Sequence, residues 1–301
     1  MADFRIGDYD YTIIDIDNNY VKAKVWDRNK VQYEVLHDII EYNGIMYTLT
    51  SMAECFMRCP NFNQSITIPN SVISMNTCFY GCTSFNSLVT FEENSQVTNM
   101  NYCFGYCTSF DKPIEIPDSV TNMSYCFRGC TSFDKPITIP DSVTDMGNCF
   151  SWCTSLVNAP IIPNNVENMS YCFAGCRSLS GDIYIYTTYD SLSYLQCFYN
   201  TSYTICLHAM NNNTEECDAL ASTANNNNVY VNVKPETALN FNNTQVNYLN
   251  QNSEFVALSM QTNANLIQCR IPKLSGGEAS IITTNLNDAL IDLYKRKVGG
   301  A

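Results

Sequence analysis

Histidine is nearly missing from this 301-residue chain, which has only His37 and His208. Neither sits in a metal-ligand or nucleophile-elbow pattern. A Cys–His dyad of His208 with Cys206 or Cys217 is the one arrangement open to nucleophilic chemistry, and a structural histidine is the commoner case. Basic residues are also scarce: 16 Lys and Arg against 29 Asp and Glu leave a net charge of −13. Nucleic-acid binders carry basic patches, so DNA and RNA are not expected partners. No stretch approaches the roughly 18 apolar residues of a membrane helix, so membrane insertion is not expected. Met1-Ala-Asp-Phe-Arg-Ile-Gly7 lacks a basic segment followed by an apolar run. It reads as a chain made in the cytosol without a signal peptide. Gly276-Gly277 reads as a turn, not a phosphate loop. No catalytic, cofactor or metal site is assigned.

What the chain has in excess is cysteine, with 16, and it is periodic. Cys55, Cys78, Cys103, Cys126, Cys149, Cys172 and Cys197 follow one another at gaps of 23, 25, 23, 23, 23 and 25 residues. A period in the 20s is the signature of a solenoid. In the copy from Val120, apolar residues fall at Val120, Met123, Cys126, Phe127, Cys130, Phe133, Ile137 and Ile139. The first half is spaced by three and four and predicts one helical turn or a short 3₁₀ stretch. Ile137-Thr138-Ile139 alternates and predicts a strand that Pro140 stops. One unit cannot bury a core alone; stacked copies can, with parallel strands along one side.

These units resemble the BspA-like (Treponema-type) leucine-rich repeats. The likeness lies in Ile116-Pro117-Asp118-Ser119-Val120, Ile139-Pro140-Asp141-Ser142-Val143 and Phe127-Arg128-Gly129-Cys130-Thr131-Ser132, and in their equivalents. Methionine (Met75, Met100, Met123, Met146, Met169) replaces the family's usual isoleucine, and cysteine replaces the alanine before Phe. Both changes keep an apolar residue. The resemblance implies an adhesion or binding protein that attaches to host molecules or other cells.

Twelve cysteines form Cys-x-x-x-Cys pairs: Cys55/Cys59, Cys78/Cys82, Cys103/Cys107, Cys126/Cys130, Cys149/Cys153 and Cys172/Cys176. A metal or redox array is one reading. The other is a ladder of buried, reduced thiols acting as small apolar residues, and it is preferred because each pair neighbours only a copy of itself.

The expected fold is an α+β solenoid, a right-handed leucine-rich-repeat coil with parallel strands. Residues 1–48 are expected to form an N-terminal β cap with strands near 11–16, 20–26, 31–36 and 45–49 and a hairpin at Asn43-Gly44. Residues 49–204 form the repeats. Residues 205–301 form a small α+β domain for attachment or oligomerisation, with strands at 230–233, 254–258, 266–271 and 279–283 and helices near 214–222 and 285–297.

The candidate partner-binding face comprises the variable strand positions Thr67, Thr90, Glu115, Thr138, Ile161 and Tyr184 with their neighbours Lys112 and Lys135. It also takes in Tyr80, Tyr106, Arg128 and Trp152 between the paired cysteines, residue types that anchor interfaces. The expected role is a non-catalytic module for a protein or cell-surface ligand, placed in a phage virion as fibre or head decoration and touching other virion subunits. The alternatives are an intracellular or cell-surface scaffold or adhesin outside any virion and, behind it, an enzyme with its site in the C-terminal domain. The C-terminal domain is the place for homo-oligomer contacts.

Overall fold

A computed structural model describes residues 3–185 and 196–201, with backbone strands at 205–209, 229–233, 258–260 and 267–272. The expected helices near 214–222 and 285–297 and the strand at 279–283 lie outside these residues.

The chain opens with a mixed sheet of β1 (Phe4–Ile6), β2 (Tyr9–Asp15), β3 (Tyr20–Val25), β4 (Ile39–Tyr42) and β5 (Ile45–Ser51), in the order β1-β2-β3-β5-β4. Asn43 and Gly44 both take positive φ, 53° and 74°, which is the two-residue turn that joins β4 to β5. The strand expected at 31–36 does not form. Its backbone is taken by side chains instead: Gln64 accepts from Tyr33 N at 2.7 Å and donates to Tyr33 O at 3.0 Å, and Asp8 accepts from Glu34 N. The sheet covers the first repeat. Val25 N donates to Cys55 O at 3.0 Å, and the rings of Tyr9 and Tyr33 meet Phe56 edge-on.

In the repeats, the half expected to be helical is two β-turns in tandem. In Met75-Asn76-Thr77-Cys78 the Cys78 N–H donates to Met75 O, and in Phe79-Tyr80-Gly81-Cys82 the Cys82 N–H donates to Phe79 O. The third residue of each turn has positive φ, 53° at Thr77 and 72° at Gly81, as type II turns require. Turns that start four residues apart and close over three produce the same apolar spacing as a helix. Among the described residues there is no helix.

Every second N–H of this segment points along the solenoid. Met100, Tyr102, Phe104 and Tyr106 donate to Asn122 O, Ser124 O, Cys126 O and Arg128 O at 2.9, 3.0, 2.8 and 2.6 Å. A chain of parallel bridges, Ser51–Ser74–Asn99–Asn122–Asp145–Asn168, runs beside these bonds. At the Asx positions the side chain also accepts from the N–H two residues on, as from Ser124 N to Asn122 Oδ1 at 2.8 Å.

Beneath lies a column of phenylalanines, Phe56, Phe79, Phe104, Phe127, Phe150, Phe173 and Phe198, all fully buried. Successive rings are stacked at 5.3–5.7 Å. A second column runs Phe62, Phe85, Phe110, Phe133, Leu156 and Leu179.

The strand side differs from expectation. Before β8 (Gly181–Ile185) only β6 (Ile66–Ile68) and β7 (Val89–Phe91) pair there as strands, in parallel, and Ile162 makes an isolated bridge. The segments at 114–116 and 137–139, expected as strands, do not pair. Proline precedes each of them (Pro113, Pro136), whereas Ser65 and Leu88 precede β6 and β7. Proline fixes φ near −65° and suits polyproline-like or edge conformations.

Parallel pairing also runs beyond residue 204. β8 pairs β9 (Ile205–Ala209), which pairs β10 (Val229–Val233), with Gly181 opposite Ile205 and Ile205 opposite Val229. This pairing continues past residue 204, where the sequence reading places the end of the repeats. The Cys-Phe motif is lost there, but the strand register continues in steps of 24 residues. β11 (Leu258–Met260) and β12 (Ile267–Pro272) complete that sheet in antiparallel fashion.

Candidate interaction surface

The cysteines are internal. Each of the twelve paired residues is fully buried, and none is in a disulfide. The second thiol of each later pair donates to the carbonyl of a phenylalanine in the preceding coil: Cys82 to Phe56 O, Cys107 to Phe79 O, Cys130 to Phe104 O, Cys153 to Phe127 O and Cys176 to Phe150 O, at 2.9–3.0 Å. Burial pushes the thiols of Cys78, Cys103, Cys130, Cys149, Cys153 and Cys172 far above their ordinary range and lifts Cys197 to about 12. Among the described residues no cluster of His, Cys, Asp and Glu is placed to hold a metal. The side chains of Cys206 and His208, and all of Cys217, lie outside the described residues.

The exposed chemistry sits at the corners of the turns. Tyr102, Tyr106, Tyr125, Trp152 and Tyr171 each occupy the third residue of a turn, with φ between 52° and 63°. A left-handed backbone costs a bulky L-residue about 1–2 kcal/mol, and glycine or asparagine fits there better. Three copies do use glycine, at Gly81, Gly129 and Gly175.

The side chains line the turn corners as a ribbon in two groups, one of Tyr80, Tyr102, Tyr106, Tyr125 and Arg128 and one of Trp152 and Arg177. Tyr80 meets Tyr102 and Tyr106 edge-on at 5.9 and 5.5 Å, and Tyr102 stacks on Tyr125 at 4.2 Å. The Arg128 guanidinium lies over both Tyr125 and Tyr106, at 5.5 and 5.9 Å, and Arg177 lies over Trp152 at 5.7 Å. Arg128 Nε is buried with no hydrogen-bond partner. Burial, then the neighbouring Tyr125, raise the Tyr102 phenol above its usual range. Tyr106 and Trp152 remain 39% and 40% exposed.

The residues proposed from sequence as one face fall into two sets. Tyr80, Tyr106, Arg128 and Trp152 belong to the ribbon. Thr67 and Thr90 meet each other on β6 and β7, Oγ1 to Oγ1 at 3.0 Å. Glu115 and Thr138 are exposed on unpaired segments, Ile161 is exposed beside the bridge at Ile162, and Lys135 is paired with Asp111 at 2.7 Å. Lys112 also lies near Asp111 and helps hold that carboxyl down, after Lys135. Tyr184 stands opposite His208 in the β8–β9 register, and its side chain is outside the described residues. No hydrogen bond, ion pair or ring contact among the described residues joins the two sets. Tyr102, Tyr125 and Arg177 were missed from sequence. Aligning the copies on the residue before each first cysteine exposes the two tyrosines.

Over residues 50–156, 116–205 and 139–234 the chain matches the family described as "Mycoplasma protein of unknown function, DUF285". The chain belongs to this family. The DUF285 match passes residue 204, as the strand register does. No curated protein matches the chain. Among solved structures, a leucine-rich repeat protein from Bacteroides ovatus is 19% identical with a TM-score of 0.50, over 70% of this chain and 66% of its own. A T. pallidum leucine-rich repeat protein is also 19% identical, with a TM-score of 0.48, over 62% of this chain and 90% of its own. A leucine-rich cell surface protein from Faecalibacterium prausnitzii gives 19% and 0.46, over 69% and 70%. At such identity the likeness speaks to fold alone, and the fold is a leucine-rich-repeat solenoid.

Proposed function

We propose that this DUF285 chain is a non-catalytic binding module of the BspA-like kind, a leucine-rich-repeat scaffold or adhesin that holds a protein partner on its aromatic ribbon. The observation that carries this reading is the placing of Tyr102, Tyr106, Tyr125, Trp152 and Tyr171 at φ values that disfavour bulky side chains. Strain retained at several copies motivates a role for the side chains themselves. Tyrosine, tryptophan and arginine are the residue types that dominate interface energies. The interior supports the reading, because the buried thiols are far from their reactive form and serve the ladder. Fold likeness to a bacterial leucine-rich repeat protein favours a cellular scaffold or adhesin over the virion placement.

The test uses asparagine, which accepts positive φ. A partner co-purified with the tagged full chain and identified by mass spectrometry is titrated against wild type and a Tyr106→Asn/Trp152→Asn variant. The variant is expected to fold with unchanged circular dichroism and to bind at least about tenfold more weakly, as loss of a hot-spot residue implies. Equal affinity would sink the ribbon as the binding site.

A further inference from the structure

We propose that a cleft on the strand side, away from the ribbon, takes an extended, lysine- or arginine-rich peptide segment of a partner by strand addition to β7. Pairing on this side stops after β7, which has β6 along one edge and no strand along the other. The next copy, Pro113-Ile114-Glu115-Ile116-Pro117, approaches but does not pair, and among the described residues its Ile114, Glu115 and Ile116 backbones make no hydrogen bond. On the turn side the same coils stay bonded, as Gly81 N to Gly105 O at 2.8 Å shows. On the strand side Asp111 N to Asn86 Oδ1 at 3.0 Å and Ser119 Oγ to Ser95 O at 2.9 Å join them at either end of an unpaired stretch. A cleft of about 1070 Å³ lies over that stretch, lined from 88–95, 113–119 and Pro136, Thr138 and Pro140. The longer copy between Cys78 and Cys103 lies here, with Glu92, Asn94 and Ser95 lining the cleft.

Two features choose the occupant. Unpaired donors and acceptors on an extended backbone recognise another extended backbone, whatever its side chains. The charged residues lining the cleft are Glu92, Glu115 and Asp118, with no lysine or arginine among them. A basic strand meets both demands. Pro113 keeps the chain's own next copy from pairing with β7, as proline does at sheet edges.

The experiment measures fluorescence polarisation of the full-length protein with a labelled alternating Lys-Val peptide. The comparisons are an alternating Glu-Val peptide and the Lys-Val peptide with every second amide N-methylated. The Lys-Val peptide is expected to bind. Loss of main-chain bonds should weaken the methylated form by about tenfold or more, and the Glu-Val peptide should not bind. Glu115→Gln/Asp118→Asn, both at exposed side chains, should weaken the Lys-Val peptide, whereas Trp152→Asn should leave it unchanged. Failure of the ribbon reading and failure of this one therefore give different patterns. Equal binding of the methylated peptide would reduce the site to charge attraction and overturn strand addition. No binding of the Lys-Val peptide, or a dimer that forms without peptide and excludes it, would also overturn the proposal, the dimer by assigning the edge to a second copy.

Discussion

The indole of Trp152 lies over the Cα of Gly175, so that a β-carbon built on this glycine would stand 2.8 Å from Trp152 Cδ2. Gly129 stands in the same relation to Tyr106, also at 2.8 Å. Large and small residues thus alternate from coil to coil at the turn corner, and the large one overhangs the small one of the next coil. Gly175 also has φ of 77°. Gly175→Ala therefore meets two penalties, the backbone one of about 1–2 kcal/mol and the clash with the indole. Urea denaturation should show a loss above the backbone cost alone. In the Trp152→Asn background the loss should shrink toward it, and a double-mutant cycle reads the difference. Additive losses would mean that the ring does not rest on the glycine.

The phenylalanine column should carry much of the stability. Phe127 stacks on Phe104 at 5.4 Å and on Phe150 at 5.5 Å. Phe127→Ala is expected to cost about 3–5 kcal/mol, and Phe127→Leu, which keeps most of the buried volume, clearly less. Thermal or denaturant unfolding of the two variants checks the order.

The thiols set an alkaline limit. From Cys78 to Cys176 the buried pairs have folded pKa values above the ordinary thiol range because burial disfavours the thiolate. The unfolded chain ionises near pH 8.5 while the folded chain stays protonated. Above that pH the unfolded state binds fewer protons, and stability falls as pH rises. Below it, this contribution is fully present. Each thiol contributes up to about 1.4 kcal/mol per pH unit, so the urea midpoint should drop steeply between pH 8 and about pH 9.5. A flat profile would mean that the thiols are not buried in the protonated form.

The sequence made some of this legible and concealed the rest for physical reasons. Period and core were readable because every copy repeats Met, Cys, Phe and Cys at fixed offsets. The local conformation was not, since tandem turns such as Met75–Cys78 and Phe79–Cys82 give the three-and-four spacing of a helix. Ile137-Thr138-Ile139 alternates like a strand, yet pairing depends on the neighbouring coil and on Pro136, which periodicity does not report. β9 and β10 were hidden as further steps because the Cys-Phe marker disappears while the strand step of 24 persists. The ribbon is half visible: Tyr106 and Trp152 stand out between cysteines, but their positive φ, and the link of Tyr106 to Tyr102 and Tyr125 through Tyr80 and Arg128, are set by how the coils stack.

The same competition between side chain and strand explains residues 31–36, and Gln64 tests it. Its amide meets Tyr33 on both sides, accepting from N at 2.7 Å and donating to O at 3.0 Å, and so holds the Tyr33 ring against Phe56 and Phe62. Gln64→Ala removes both bonds from a half-buried backbone and should cost about 1–3 kcal/mol. Gln64→Glu keeps an acceptor for Tyr33 N but has no donor for Tyr33 O, so it should fall between wild type and alanine. Hydrogen exchange at Tyr33 should quicken in the same order, while exchange at Phe127, deep in the repeats, should stay slow. If Tyr33 exchanged equally in all three proteins, the segment would be held by its buried rings, and the amide pairing would be incidental.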